Sequence, residues 1–356
     1  MKVLQVKASS HTYNIHIGNN LRYDVNKFLT KDYSSILIIT DEKVADLYLA
    51  DVKKSLEENK VYEAIIKSGE ASKSIETYYY LQTEAIKSGL DRHSLIIALG
   101  GGVVGDIAGF VAATYMRGID YVQMPTTILA HDSSVGGKVA INHELGKNMI
   151  GNFYAPQAVI YDVNTLESLP EHEIRSGYAE IIKEAFIANH SLLDTLLQVN
   201  LKQLSAAQLK NHLYEGIKIK ANIVEKDEKE SSIRKFLNLG HTLAHALEAE
   251  LGYGKITHGE AVAIGLLFAI RVSEQQYNVQ LPYDSLLKWL LKNGYPIFFE
   301  ANIQSIIQLM KSDKKSQNKH VQMVLLHEVT KLVIEELNDD MLNTYLQLFK
   351  KELDTL

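Results

Sequence analysis

The first eighteen residues, MKVLQVKASSHTYNIHIG, alternate apolar and polar positions around a Ser-Ser break, the pattern of a strand or hairpin with one buried face. They lack a long apolar core and do not read as a signal peptide. Compact apolar runs recur at 36–40, 61–66 and 95–99, and shorter ones at 121–124 and 158–161. Stretches of helical periodicity, about 44–59 and 75–88, lie between the first three. Continuously apolar strands that alternate with helices predict a parallel sheet covered on both faces. After about Asp162 strand-like runs nearly vanish, and helical periodicity governs 176–189, 207–224 and 242–251. The chain thus reads as an α/β domain over 1–162 followed by a helical domain over 163–356. The longest apolar run, 261–270, is too short to cross a bilayer and reads as a buried helix, so no membrane partner is expected.

Composition narrows the chemistry. A length of 356 residues suits two domains, and 46% hydrophobic with 22% charged residues is ordinary for a globular protein. There is no cysteine, which excludes a disulfide scaffold, a thiolate metal site and a cysteine nucleophile. Any metal must be held by histidine, carboxylate or solvent. The net charge of −6, with both signs mixed throughout, argues against a general nucleic-acid binder but leaves room for a local basic pocket. With no targeting segment apparent, the cytoplasm is the expected location.

Residues 95–109, LIIALGGGVVGDIAG, place Gly100, Gly102 and Gly105 at G-x-G-x-x-G spacing between a strand and a helix. Glycines there let backbone approach a pyrophosphate, and the helix N-terminus offers N–H donors and a partial positive charge. The loop follows the third predicted strand, and Asp41, the acid placed to hold a ribose, precedes it, so the wiring is not that of the common dinucleotide fold. Hydroxyls and lysines beside glycines follow in PTT (125–127), DSS (132–134), GGK (136–138) and GKN (146–148), a grouping suited to phosphate or carboxylate.

A second grouping lies in the helical half. His241 and His245, in NLGHTLAHALE, share one helix face, His258 follows seventeen residues after His241, and Glu180 sits upstream in SGYAEIIKEAF. Two or three imidazoles with one carboxylate fit a zinc-like ion that keeps an open position. Thr242 stands where a zinc peptidase carries its glutamate, which counts against that reading. A nicotinamide cofactor and a Lewis-acidic metal belong together on an alcohol. The cations Arg117, Lys138, Lys147, Lys183, Lys220, Arg234 and Lys314 exceed what a simple alcohol needs and point to phosphate and carboxylate on the substrate.

The segments GGGVVGDIAGF, PTTILA, DSSVGGK, GKNMIG, SGYAEIIK, LNLGHTLAHALE, THGEAVAIGL and SDKK, in this order from about 41 to 315, resemble those of the 3-dehydroquinate synthases, members of the sugar-phosphate cyclase superfamily. The resemblance implies a Rossmann-like NAD-binding α/β domain of variant wiring and an all-α metal- and substrate-binding domain. It implies a lyase of the shikimate pathway that turns 3-deoxy-D-arabino-heptulosonate 7-phosphate into 3-dehydroquinate and phosphate. The steps are transient oxidation by NAD, phosphate elimination, re-reduction, ring opening and aldol closure. Glu180, His241 and His258 match metal ligands, for zinc or cobalt, whereas His245 matches a non-ligand near the substrate phosphate. Lys138, Lys147, Asn148, Lys183, Lys220, Arg234 and Asn238 match substrate contacts, and Arg117 an arginine donated across a homodimer interface. Lys314 or Lys315 matches a phosphate-side lysine. Asp41, Glu70, Lys73, Gly101, Gly102, Val103, Asp106, Thr126 and Thr127 match NAD contacts, and Asp132 lies near both cofactor and metal. Lys138 and Lys147 are placed beside the cofactor as well as the substrate. The rival readings are a sibling cyclase acting on another sugar phosphate and a metal-dependent polyol dehydrogenase.

Overall fold

The computed structural model describes residues 1–252, 254–298, 300–312 and 320–356. The chain forms two compact units, Met1–Leu169 with Ser205–Lys229, and Pro170–Leu204 with Glu230–Leu356. The first break falls at 169, where the expected boundary was 162, and the segment 205–229 returns to the first unit. Its helix, Ala206–Lys226, opens on a capping box between Ser205 and Gln208 and packs against the N-terminal strands.

The first unit is built on a seven-stranded sheet. Its strands are β1 (Lys2–Lys7), β2 (Thr12–Gly18), β3 (Ile36–Asp41), β4 (Val61–Ile66), β5 (Leu95–Gly100), β6 (Asp120–Pro125) and β9 (Ala158–Asp162), in spatial order β1-β2-β9-β6-β5-β3-β4. β1 and β2 form the antiparallel hairpin expected from the N-terminal alternation, and all other pairs are parallel. β5 and β9 are buried at every position, as strands with both faces covered must be.

Successive residues feed opposite layers. Leu37, Ile39, Ile96 and Ala98 pack with Leu81, Ala85, Ile107 and Val111 from the helices Ile75–Lys87 and Gly102–Thr114. Ile36, Ile38, Leu95 and Ile97 pack with Leu21, Val25, Val52 and Leu56 on the other side. The helix expected over 44–59 is shorter and interrupted: Glu42–Val44 leads into a wide π turn, Ala45–Leu49, before Ala50–Lys54. An antiparallel hairpin completes the unit: β7 (Lys138–His143) buries Val139 and Ile141 in the core, and β8 (Gly146–Phe153) is exposed.

At the outer edge of the sheet, the N–H of Lys7 donates to Glu225 (2.9 Å) and that of Ser9 to Glu228 (2.9 Å). Side chains from the returning segment thus occupy donors that an edge would otherwise offer to another chain.

The second unit is helical, as expected, with Glu171–Ala188, His241–Leu251 and His258–Tyr277 at its centre. It also carries a hairpin that apolar periodicity does not single out, β10 (Val321–Glu328) with β11 (Lys331–Leu337). Two glycines set how closely its helices approach. A Cβ on Gly259 would lie 1.9 Å from the Ser176 carbonyl oxygen, and one on Gly265 would lie 1.9 Å from that of Gly240. Gly240 itself enters its helix at φ 80°, a left-handed conformation that glycine adopts without strain. Among the described residues no helix is long and apolar enough to cross a membrane.

Candidate active site

In the second unit three helices converge on one carboxylate. Glu180, in the middle of Glu171–Ala188, is 1% exposed. Its Oε1 lies 3.4 Å from Nε2 of His241, at the start of the next helix, and 3.4 Å from Nε2 of His258, at the start of the third. Ligands about 2.0–2.1 Å from a tetrahedral ion stand roughly 3.3–3.4 Å apart, and these two separations match that spacing.

The far side of each imidazole is anchored. His241 Nδ1 faces the Leu239 carbonyl oxygen at 3.2 Å, and His258 Nδ1 faces Glu248 Oε2 at 2.9 Å. Both partners only accept, so Nδ1–H donates, and in the neutral form of each ring Nε2 presents its lone pair toward Glu180. Beyond an ion pair with the equally buried Lys183, neither oxygen of Glu180 has a hydrogen-bond partner among the described residues. A buried carboxylate left so exposed to a cation's field, beside two imidazole lone pairs, fits a divalent ion.

His245 joins the group. Its ring centre is 5.4 Å from that of His241 and 5.9 Å from that of His258, and one ligand atom from each of the three histidines lies within a 4.8 Å spread. The geometry therefore brings together all four residues singled out in the sequence.

The electrostatics favour the same use. Burial opposes the charge on Glu180, but the adjacent Lys183 ammonium outweighs it and holds the carboxyl well below its ordinary range. Burial pushes His241 down to about 3, only partly offset by Glu180, so this imidazole is neutral at physiological pH. His258 goes the other way: burial opposes its charge, but Glu248 and Glu180 raise it to about 10. An ion and a proton thus compete for His258, and ion binding there releases the proton.

Glu248 is the residue the sequence reading missed. It lies seven residues after His241 on the same helix face and is 4% exposed, a burial that an isolated glutamate in an amphipathic helix does not announce. Replacing it with glutamine is expected to lower metal affinity about 10- to 100-fold. Competition with a zinc-sensitive chelator measures this, and an unchanged affinity removes Glu248 from the centre.

In the same unit Arg234, 1% exposed, lies in the turn Ile233–Asn238, and the Asn238 amide donates to Glu230 at 2.8 Å. Lys314 and Lys315 lie outside the described residues.

The glycine-rich loop is in the first unit, where β5 ends and Gly102–Thr114 begins. Gly101 occupies the N-cap position with no side-chain cap, which leaves the N–H groups of Gly102 and Val103 to a ligand or solvent. A Cβ at Gly101 would meet Thr127 at 3.0 Å and one at Gly102 would meet Ser133 at 3.1 Å. Close by in sequence, Thr126 has a buried hydroxyl with no hydrogen-bond partner among the described residues.

Asp41, at the end of β3, accepts from the N–H of Lys43 (3.0 Å) and Val44 (3.2 Å) and from the Ser68 hydroxyl (2.7 Å). Lys73, 4% exposed, pairs with Asp106 at 2.7 Å and stands 3.8 Å from Glu70. Burial opposes the charge on Lys73, but Asp106 and Glu70 outweigh it and raise its pKa. Burial also pushes the Asp106 carboxyl up, with Lys73 acting against it.

Asp132 and Lys220 form a further ion pair at 2.7 Å, Lys220 coming from the returning helix. Lys138, Lys147 and Asn148 lie on the β7–β8 hairpin. Arg117 is exposed at φ 70°, between Met116 at 49° and Gly118 at 117°.

The fold is that of the sugar-phosphate cyclases. A 2-deoxy-scyllo-inosose synthase solved with carbaglucose-6-phosphate, NAD+ and Co2+ superimposes with a TM-score of 0.89 at 24% identity, covering 98% of this chain and 100% of that one. ValA, a 2-epi-5-epi-valiolone synthase from Streptomyces hygroscopicus solved with NAD+ and Zn2+, gives 0.87 at 22% identity, with 99% and 100% covered. Residues 63–176 match the 3-dehydroquinate synthase N-terminal family and residues 177–316 its C-terminal counterpart. A 3-dehydroquinate synthase from Oceanobacillus iheyensis is 56% identical over 359 aligned positions, which span 100% of both chains. The chain belongs to the 3-dehydroquinate synthase family and is an enzyme of the lyase class.

Proposed function

We propose that the enzyme converts 3-deoxy-D-arabino-heptulosonate 7-phosphate to 3-dehydroquinate and phosphate, with NAD and one divalent ion, zinc or cobalt, as cofactors. The observation that carries the metal half is the Glu180 carboxylate 3.4 Å from two imidazole nitrogens whose far sides are anchored. When bound, NAD would supply reversible acceptance of a hydride from the carbon that bears a ring hydroxyl, and the ion would polarise that hydroxyl's oxygen as its proton leaves.

The chain's own residues do the rest. Glu180, His241 and His258 hold the ion, and Lys183 keeps Glu180 ionised. His245 stands on the substrate side, where an imidazole can pass a proton to or from the departing phosphate. Arg234, Asn238, Lys138, Lys147 and Asn148 bind the substrate's polar groups, with Arg117 and Lys314 or Lys315 on its phosphate. Lys220 serves the substrate carboxylate, and Asp132, paired with it, fixes where its ammonium sits. Gly101, Gly102 and Val103 present backbone to the pyrophosphate. Thr126 and Thr127, Asp41, Glu70, Lys73 and Asp106 contact the remaining parts of NAD. A cytoplasmic homodimer, with Arg117 offered to the neighbouring copy, completes the proposal.

The test is phosphate release from the heptulosonate phosphate by purified protein with NAD+ and zinc, followed together with absorbance at the NADH band. Release that needs both cofactors with no net NADH is expected. Stoichiometric NADH points to a polyol dehydrogenase. Turnover only of a sugar phosphate lacking the carboxylate points to a sibling cyclase.

A further inference from the structure

Three segments of the first unit meet at one side chain that no part of the reaction scheme uses. Asn142, near the end of β7, donates from Nδ2 to Glu70 Oε1 at 2.8 Å, and its Oδ1 accepts from the N–H of Asn148 at 2.9 Å. Its own backbone N–H donates to the Lys73 carbonyl oxygen at 2.7 Å. Chemistry fixes the orientation of the amide. Turned over, it would set its oxygen against a carboxylate and its NH2 against an N–H.

The ring closes through Lys73, whose ammonium donates to Asn148 Oδ1 at 2.5 Å and pairs with Asp106 at 2.7 Å. Asn148 is thereby held at both its backbone and its side chain, in a left-handed conformation of φ 55° that costs an asparagine little but not nothing. Pinning it in place needs partners, and Asn142 and Lys73 are those partners.

We propose that Asn142 is a positioning residue that makes NAD binding and substrate binding help one another, by tying Glu70 and Lys73 to Asn148. The inference rests on the reading of Glu70 and Lys73 as cofactor contacts and of Asn148 as a substrate contact. A cofactor that orders Glu70 and Lys73 also fixes the acceptor and donor that hold Asn148. Substrate on Asn148 then tightens NAD by the same factor by which NAD tightens substrate, because linkage is reciprocal.

The experiment measures the NAD+ dissociation constant of the zinc-loaded, full-length protein by calorimetry. It is done with and without a saturating phosphonate analogue of the substrate, in which a methylene replaces the bridging oxygen so that phosphate cannot leave. In the wild type the analogue is expected to tighten NAD+ about fivefold or more. In N142A and N142D that factor falls to within about twofold of unity. N142D keeps the acceptor toward Asn148 but sets a carboxylate against Glu70, and it is isosteric, so it carries the test if N142A does not fold. The double variant N142D/E70Q exchanges donor and acceptor across the same contact and is expected to restore the factor.

A purely structural role lowers both separate affinities and leaves their ratio alone. That result overturns the inference, as does a wild-type factor of one or a double variant that restores nothing. Wild-type protein that binds neither NAD+ nor the analogue instead refutes the site reading beneath it, a distinguishable outcome.

Discussion

His241→Ala is expected to lose its divalent ion on dialysis and to lose phosphate release with it. Loss of an outer partner alone costs about 10- to 100-fold, so loss of a direct ligand should exceed about 100-fold in both metal affinity and turnover. In the proposed ligand set the neutral imidazole removed here is one of three ligands, and Glu180 and His258 alone would leave the ion two protein ligands. The informative comparison is His245→Ala. It lies in the same histidine cluster, yet as a non-ligand it should keep a full equivalent of zinc while losing turnover. Metal content by elemental analysis beside the phosphate-release rate decides the matter. Full activity of His241→Ala without bound metal, or zinc loss from His245→Ala, would reassign the ligands.

Gly259→Ala should be among the most damaging single methyl groups that can be added to this chain. The new Cβ would sit 1.9 Å from the Ser176 carbonyl oxygen and 2.5 Å from its Cα, both backbone atoms that cannot rotate away. One helix must move, and the expected cost is about 3 kcal/mol or more. His258 is the neighbouring residue, so zinc affinity should fall together with stability. Gly252→Ala is the control: its φ of 89° carries a strain of about 1–2 kcal/mol, but a Cβ there meets nothing within 4 Å. Denaturant titration with and without zinc measures both variants. A Gly259→Ala protein as stable as the control would show that the helices do not depend on this approach.

Much of this was legible because it is periodic or punctuated. Continuous apolar runs located β3, β5 and β9, and Gly100 to Gly105 marked the turn into the next helix. The histidine pair at 241 and 245 exposed the second site because imidazoles are rare on a helix face that is otherwise apolar.

What stayed hidden depends on contacts between residues distant in sequence. Periodicity shows that 206–226 is an amphipathic helix but not which core receives its apolar face. The β8 strand, GKNMIGNF, is exposed along nearly its whole length and has no buried face to mark it. Glu248 reads as a solvated charge until His258 is brought to 2.9 Å from it. Asn142 carries no signal, since each of its hydrogen bonds crosses to a segment that only the fold brings near.

The return of 205–229 to the first unit has a consequence for how the chain comes to be folded. A ribosome delivers residues in order, so the sheet and its two flanking layers emerge without the helix that covers their N-terminal strands. The donors of Lys7 and Ser9 wait for Glu225 and Glu228, more than two hundred residues later. Until then that edge can pair with another nascent chain, and the segment 170–204 is already out and unable to finish its own unit. The two halves must therefore mature together late in synthesis, not one after the other. Such long-range closure is slow and leaves a period of exposure to aggregation. A fragment ending at 169 should inherit that exposure permanently.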